Sequence, residues 1–215
     1  MNQHLGIIEV VCGGMFSGKT EELMRRLKRA QYAKQKIQVF KPVIDQRYSV
    51  DHVQSHDANK ILSIPVQTAK EILDRVDDNT RIVGIDEAQF FDDTIVEVAQ
   101  KLAYRGTRVI CAGLDMDFRG QPFGPMPKLL AVAESVTKLS AVCVVCGAPA
   151  TRSQRVTRGE TVGDNQVLVG SHDYYEARCR ICHEPNDITY SQPGLFPTTP
   201  MASKSKLLNQ SHETA

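Results

Sequence analysis

The first residues that could do chemistry are those from Gly13 to Thr20, which read GGMFSGKT. They fit the phosphate-loop pattern G-x-x-x-x-G-K-[ST] at every fixed position. In that pattern the glycines let successive backbone N–H groups point into one concavity, Lys19 reaches the outer phosphates, and Thr20 offers its hydroxyl to Mg²⁺. An ordinary glycine turn is the alternative interpretation. The strand-like residues before the loop and the helix-forming residues after it favour a nucleotide site.

An acidic pair, Asp86 and Glu87, follows the apolar run Ile82 to Ile85. In open α/β sheets, ligands bind at the carboxyl ends of the strands. There Asp86 can hold the Mg²⁺ that Thr20 also contacts, which leaves Glu87 for proton transfer. Such a pair can also be a simple helix-capping turn. Its occurrence in one chain with a phosphate loop favours the metal site.

Four of the six cysteines form two Cys-x-x-Cys pairs, Cys143 with Cys146 and Cys179 with Cys182. In a reducing compartment, two such pairs indicate metal binding rather than disulfides. Four thiolates suit tetrahedral Zn²⁺, and because they leave no open position, the predicted zinc is structural. His183 is a possible substitute ligand, although a bystander role is the simpler interpretation.

These residues need elements that position them. A strand over 7–12, a helix from the phosphate loop to about residue 34, and a strand over 37–40 form a βαβ unit, which implies a parallel sheet. Strand patterns return at 61–64, 81–85, 107–114 and 135–139, and helix patterns at 95–103 and 129–133. We therefore predict an α/β fold with a P-loop parallel-sheet domain at 1–140, a small zinc-ribbon domain at 141–183 and a flexible tail at 184–215.

The composition is that of an ordinary soluble protein, with 41% hydrophobic and 24% charged residues in a chain of 215. A net charge of +1 gives no long-range attraction for nucleic acid or membranes. The first residues lack a charged region followed by an apolar one, and no apolar run approaches membrane-spanning length. We therefore expect a cytoplasmic protein with neither nucleic acid nor membrane as partner.

Cys12 and Cys111 lie in apolar strands, where buried core positions are expected.

Five features in order carry a resemblance to a known family: residues 14–20 (GMFSGKT), 85–91 (IDEAQFF), 122–124 (PFG), 133–136 (AESV) and the four-cysteine ribbon. Together they resemble the type II thymidine kinases, from about Ile7 to Cys182. The resemblance implies a homotetramer that transfers the γ-phosphate of ATP to the 5′-hydroxyl of thymidine, giving dTMP for DNA synthesis. It also implies that Glu87 is the general base.

The same resemblance assigns the remaining site residues. The ATP and Mg²⁺ site comprises Gly13, Gly14, Met15, Phe16, Ser17, Gly18, Lys19, Thr20, Asp86 and Gln89. The thymine pocket comprises Met15, Phe90, Leu114, Phe118, Phe123, Ser153 and Tyr175. A lasso-like loop that reads the base through backbone groups corresponds to Gln166, Val167, Leu168, Val169 and Gly170.

Some positions depart from the family pattern. Ser153 stands where some members have threonine, and Asp115-Met116-Asp117 differs from the common L-D-G-T form. These departures bear on substrate preference rather than on the reaction. Arg155 matches a basic position beside the pocket.

Two other classes of protein share parts of this pattern. One is a P-loop ATPase whose DEAQ run drives motion, as in helicase-like motors. The other is a zinc-ribbon module that binds nucleic acid and uses a nucleotide as a switch. The near-neutral charge and the lack of a basic stripe count against the second class.

Overall fold

The computed structural model describes residues 6–43, 62–156 and 175–184. The predicted lasso residues Gln166 to Gly170 lie outside these ranges, as does the predicted tail beyond residue 184. None of the helices within the described ranges combines the length and apolar character that a membrane crossing requires.

A six-stranded sheet forms the centre of the molecule, with the strand order β3-β2-β4-β5-β1-β6. Every neighbouring pair is parallel, as the βαβ pattern predicts. The strands are β1 (Ile8–Gly13), β2 (Ile37–Pro42), β3 (Ser63–Val66), β4 (Ile82–Ile85), β5 (Arg108–Gly113) and β6 (Ser135–Leu139). The predicted strands are therefore confirmed, with ends that shift by one or two residues.

Helices cover both faces of this sheet. They are α1 (Lys19–Tyr32), α2 (Lys70–Arg75), α3 (Thr94–Tyr104) and α4 (Met126–Val132). The helix α4 begins three residues before the predicted start at Leu129, because Pro127 is tolerated in the first turn of a helix. Leu23 and Leu27 of α1 pack on one face, and residues of α2, α3 and α4 pack on the other.

Close packing of α1 on β4 brings two parts of the site together. Gly84 lies in the middle of β4, and a Cβ added there would come within 3.0 Å of Leu27 Cδ1. The missing side chain therefore lets α1 approach the strand closely. As a result, the start of α1 lies near the carboxyl end of β4, although β5 separates β4 from β1 in the sheet.

The ribbon, defined as residues 141–156 and 175–184, consists of two small antiparallel pairs. One pair is β7 (Ala141–Val142) with β8 (Pro149–Ala150), and the other is β9 (Arg152–Arg155) with β10 (Tyr175–Arg178). Its cluster of buried apolar side chains is small and consists of alanines and cysteines: Ala141, Cys143, Ala150, Ala177 and Cys179. So few apolar atoms give little hydrophobic stabilisation to this unit.

Candidate active site

The phosphate loop, residues 13–20, leaves the end of β1 and leads directly into α1. Gly18 has φ 82°, and Phe16 also has a positive φ of 64°. The carbonyl oxygen of Gly14 accepts hydrogen bonds from Ser17 Oγ and Lys19 Nζ, both at 2.8 Å. The loop is thus a compact turn at the amino end of a helix, where backbone N–H groups favour anions.

The Lys19 ammonium group lies among acidic side chains. Burial lowers the pKa of Lys19, while the negative charges of Glu87, Asp86 and Asp115 oppose that shift. A partly desolvated ammonium group forms strong charge-assisted hydrogen bonds with phosphate oxygens, so Lys19 is suited to bind a nucleotide.

Thr20 and Asp86 meet, as the sequence predicts for an Mg²⁺ site. Thr20 Oγ1 donates to the Asp86 carboxylate, at 3.2 Å from Oδ2 and 3.4 Å from Oδ1. Burial, and then the negative charge of Glu87, raise the pKa of Asp86 to about 6. A hydroxyl beside a carboxylate is a donor set that Mg²⁺ accepts together with phosphate oxygens and water, so these residues fit the metal.

Glu87 has an unusual backbone conformation. Its φ of 52° and ψ of 40° place it in the left-handed region, which glycine and asparagine occupy more readily than glutamate. Its backbone N–H donates to Asp86 Oδ1 at 3.0 Å. A short 3₁₀ helix, Ala88–Phe90, begins directly after it. Strained non-glycine residues occur often at functional sites, and here the strain coincides with the predicted base.

Gln89 has a position that sequence reasoning did not anticipate. It is 2% exposed, and its Nε2 donates to Glu87 Oε2 at 2.5 Å. Its Oε1 accepts from the backbone N–H of Leu114 at 3.0 Å. The side chain therefore connects the predicted base to the loop that follows β5. The only signal in the sequence is a glutamine two residues after the acidic pair.

Two aromatic side chains lie next to each other near Glu87, one from the 3₁₀ helix and one from the loop after β5. The rings of Phe90 and Phe123 meet edge to face, with centroids 5.7 Å apart and planes at 88°. Phe118 lies in the same loop as Phe123, and the guanidinium carbons of Arg119 and Arg155 lie 5.0 and 5.2 Å from its ring centroid. Both cations are within the range of attraction to an aromatic ring.

The ribbon touches the phosphate loop directly. Met15 N donates to Ser153 Oγ at 3.0 Å, although the two residues are 138 positions apart. A Cβ added to Gly14 would lie 3.3 Å from the carbonyl carbon of Thr151, so glycine allows this close approach. Tyr175 is buried and pairs with Arg155 across β9 and β10. The structure therefore brings two predicted pocket residues, Met15 and Ser153, into contact.

The four paired cysteines form one cluster, as predicted. Their sulfur atoms all lie within 4.8 Å of one another, and they belong to Cys143, Cys146, Cys179 and Cys182. Four soft thiolates at this spacing fit tetrahedral zinc. His183 is outside the cluster, because its Nε2 lies 2.8 Å from the carbonyl oxygen of Phe118. Cys12 and Cys111 are buried in the main core, as expected.

Comparison with known proteins agrees with this geometry. A thymidine kinase family model matches residues 6–183. The chain is also similar to the thymidine kinase of Bdellovibrio bacteriovorus, with 62% identity over 180 residues that cover 84% of this chain and 86% of that protein.

Proposed function

The chain belongs to the thymidine kinase family and is a kinase that transfers phosphate to thymidine, and from this premise we propose how its site does so. The γ-phosphate of ATP moves to the 5′-hydroxyl of thymidine, with Glu87 as the base. The observation that carries this proposal is the meeting of Thr20, Asp86 and Glu87 beside the phosphate loop. Of the three classes considered from the sequence, the family assignment selects the kinase.

On the donor side, the phosphate loop from Gly13 to Thr20 binds the phosphates of ATP, and Lys19 supplies a positive charge to them. Thr20 Oγ1 and the Asp86 carboxylate are the residues that would hold Mg²⁺. When bound, this ion would neutralise part of the charge on the phosphates. Because phosphoryl transfer depends mainly on positioning and charge neutralisation, these groups supply most of the catalysis.

Glu87 accepts the proton of the 5′-hydroxyl as the new bond to phosphorus forms. The hydrogen bond from Gln89 Nε2 orients one oxygen of the Glu87 carboxylate and leaves the other for the acceptor. We therefore assign Gln89 to the positioning of Glu87, in addition to its place among the predicted ATP and Mg²⁺ residues.

On the acceptor side, the thymine ring of the substrate lies between side chains of the main domain and side chains of the ribbon. The proposed pocket is lined by Met15, Phe90, Leu114, Phe118, Phe123, Ser153 and Tyr175, with residues 166–170 closing it through backbone groups. Support comes from the edge-to-face contact of Phe90 with Phe123 and from the contact of Met15 with Ser153. An apolar pocket discriminates one methyl group by only ~1–3 kcal/mol, so we expect deoxyuridine to be a poorer but real substrate.

The remaining parts of the proposal concern assembly and metal. Zinc on the four thiolates would be structural, since all its positions would be filled by sulfur. The domain division at residues 140 and 183, the homotetramer and the cytoplasmic location rest on the family resemblance and on composition. They belong to the same proposal.

One assay tests the function against its alternatives. ATP consumption is measured with no addition, with thymidine and with DNA, and the product is identified by chromatography. We expect consumption to depend on thymidine and to yield dTMP. Consumption that depends on DNA, or that ignores thymidine, would overturn the proposal.

A further inference from the structure

We propose that His183 is a positioning residue for the nucleoside pocket, because it joins the ribbon to the loop that carries Phe118. This inference rests on the proposed function, in which Phe118 lines the thymine pocket. The sequence suggested only a substitute zinc ligand or a bystander, and His183 lies outside the cysteine cluster.

The central contact is a hydrogen bond between distant parts of the chain. His183 Nε2 lies 2.8 Å from the carbonyl oxygen of Phe118, 65 residues away in sequence. Since a carbonyl only accepts, the imidazole donates through Nε2. A Cβ added to Gly120 would lie 3.7 Å from His183 Cε1, so the ring also packs against the same loop. The side chain is partly buried, and loss of the bond would leave the Phe118 carbonyl without this donor.

The backbone around His183 is fixed independently of its side chain. His183 N donates to the carbonyl oxygen of Cys179 at 3.0 Å. The next residue, Glu184, forms two hydrogen bonds with the Gln154 side chain: Glu184 N donates to Oε1 at 2.8 Å, and Gln154 Nε2 donates to the Glu184 carbonyl at 2.9 Å. Gln154 is buried in β9. These bonds hold the backbone of His183 in place on the ribbon, and with it the position from which the imidazole reaches Phe118.

The loop on the other side of the contact is a compact turn. The Asp117 carboxylate accepts from Arg119 N and Gln121 N, both at 2.9 Å. The Asp117 carbonyl accepts from Gly120 N at 3.0 Å, and Asp117 N donates to the Gln121 carbonyl at 2.9 Å. A turn held by this many internal bonds moves as a unit. The bond from His183 to Phe118 therefore helps to set where the turn, with its Phe118 ring, lies relative to the ribbon. The ribbon also contacts this loop through Arg152 Nη1, which donates to Met116 Sδ, and through the Arg155 guanidinium over the Phe118 ring.

The test is a steady-state comparison of His183→Ala, His183→Gln and Ile181→Ala. Ile181 lies in the same knuckle, is 84% exposed and serves as the matched control. For His183→Ala we expect the KM for thymidine to rise about 3- to 10-fold, the size of one lost hydrogen bond, with the KM for ATP and the zinc content unchanged. Glutamine carries a donor at similar reach and should restore the thymidine KM, while Ile181→Ala should behave as the unaltered enzyme.

Three outcomes would overturn the inference: an unchanged thymidine KM in His183→Ala, an equal rise in the KM for ATP, or loss of zinc together with activity. A second measurement needs no variant. Long-range ¹H–¹⁵N spectra of the unaltered enzyme should find His183 with its proton on Nε2, and a proton on Nδ1 alone would contradict the proposal. If the unaltered enzyme fails to consume ATP with thymidine, the proposed function fails instead, so the two failures are distinguishable.

Discussion

The donor region and the acceptor region of the site are built in different ways. The donor region, residues 13–20 with Asp86 and Glu87, lies at the carboxyl ends of β1 and β4 in a six-stranded sheet with a large apolar core. The acceptor region, the 114–123 loop with the ribbon, has a small apolar cluster of alanine and cysteine, and its two parts are joined by the bond of His183 to Phe118. Burial of apolar side chains stabilises the first, whereas hydrogen bonds, and in the proposed function a zinc ion on the four cysteines, stabilise the second.

This difference implies that a mutation in one region should leave the function of the other region intact. A change in the main sheet should lower global stability, since it removes buried apolar or charged contacts. A substitution in the ribbon should raise the KM for thymidine while leaving ATP binding intact. The following predictions test that separation.

The largest effect is expected in the donor region, at Glu87. Glu87→Gln should lower kcat by about 10²–10⁴-fold, because it removes the general base while preserving the size of the side chain. ATP binding should be largely kept, since the phosphate loop is unchanged. Single-turnover assays and ATP titration measure the two quantities. Turnover near that of the unaltered enzyme would exclude Glu87 as the base.

The next effect concerns the stability of the main sheet. Glu9 is buried on β1, with its carboxylate 2.6 Å from Arg26 Nη1 and 2.5 Å from Arg108 Nε. Glu9→Ala leaves two cations without this partner and should lower the free energy of unfolding by about 3 kcal/mol. Urea unfolding measures the change. A metal-analysis control should find the zinc content unchanged, because Glu9 lies outside the ribbon.

In the ribbon, Cys143→Ser is expected to act on the acceptor region alone. Loss of one thiolate weakens zinc binding, so the KM for thymidine should rise about 10- to 100-fold or the ribbon should unfold. ATP binding should persist. Cys111→Ser is the matched control, because it places a hydroxyl in the main core and should lower the melting temperature while zinc remains bound. Equal zinc content in both variants would contradict the metal site.

The smallest predicted effect is a pH dependence of the donor region in metal-free enzyme. Because the pKa of Asp86 is raised to about 6 from an ordinary 3.8, the folded chain binds an extra proton between these values. The Asp86 contribution to stability therefore falls as pH rises from about 4 to about 6, by about 1–3 kcal/mol. Unfolding in chelator at several pH values, with Asp86→Asn as reference, measures it. Parallel curves for the two proteins would show that Asp86 titrates normally.

The donor region was the more predictable of the two because its residues belong to two short contiguous motifs, 13–20 and 86–87. The loop pattern with its flanking strand and helix predicted the parallel sheet, which is confirmed. Thr20 and Asp86, which the sequence assigned to one Mg²⁺ ion, are in contact, and the metal site itself stays a prediction. The cysteine spacing likewise predicted the cluster. Family membership confirms the thymidine kinase assignment, while the roles of individual residues, the lasso and the homotetramer stay predictions.

The contacts that the sequence did not reveal join residues far apart in the chain. The bonds of Gln89 to Leu114, of Met15 to Ser153 and of His183 to Phe118 depend on how packed elements place short loops. No local pattern encodes such distances. The left-handed conformation of Glu87 was equally unexpected, since the sequence offers glutamate where the backbone would favour glycine.

That conformation sets an evolutionary constraint on the enzyme. A left-handed backbone costs a glutamate roughly 1–2 kcal/mol that a glycine would not incur. A laboratory selection for heat resistance alone is therefore expected to replace Glu87 with glycine or asparagine. A selection that also demands growth on thymidine should retain glutamate and recover stability at other positions, as trade-offs between stability and activity require.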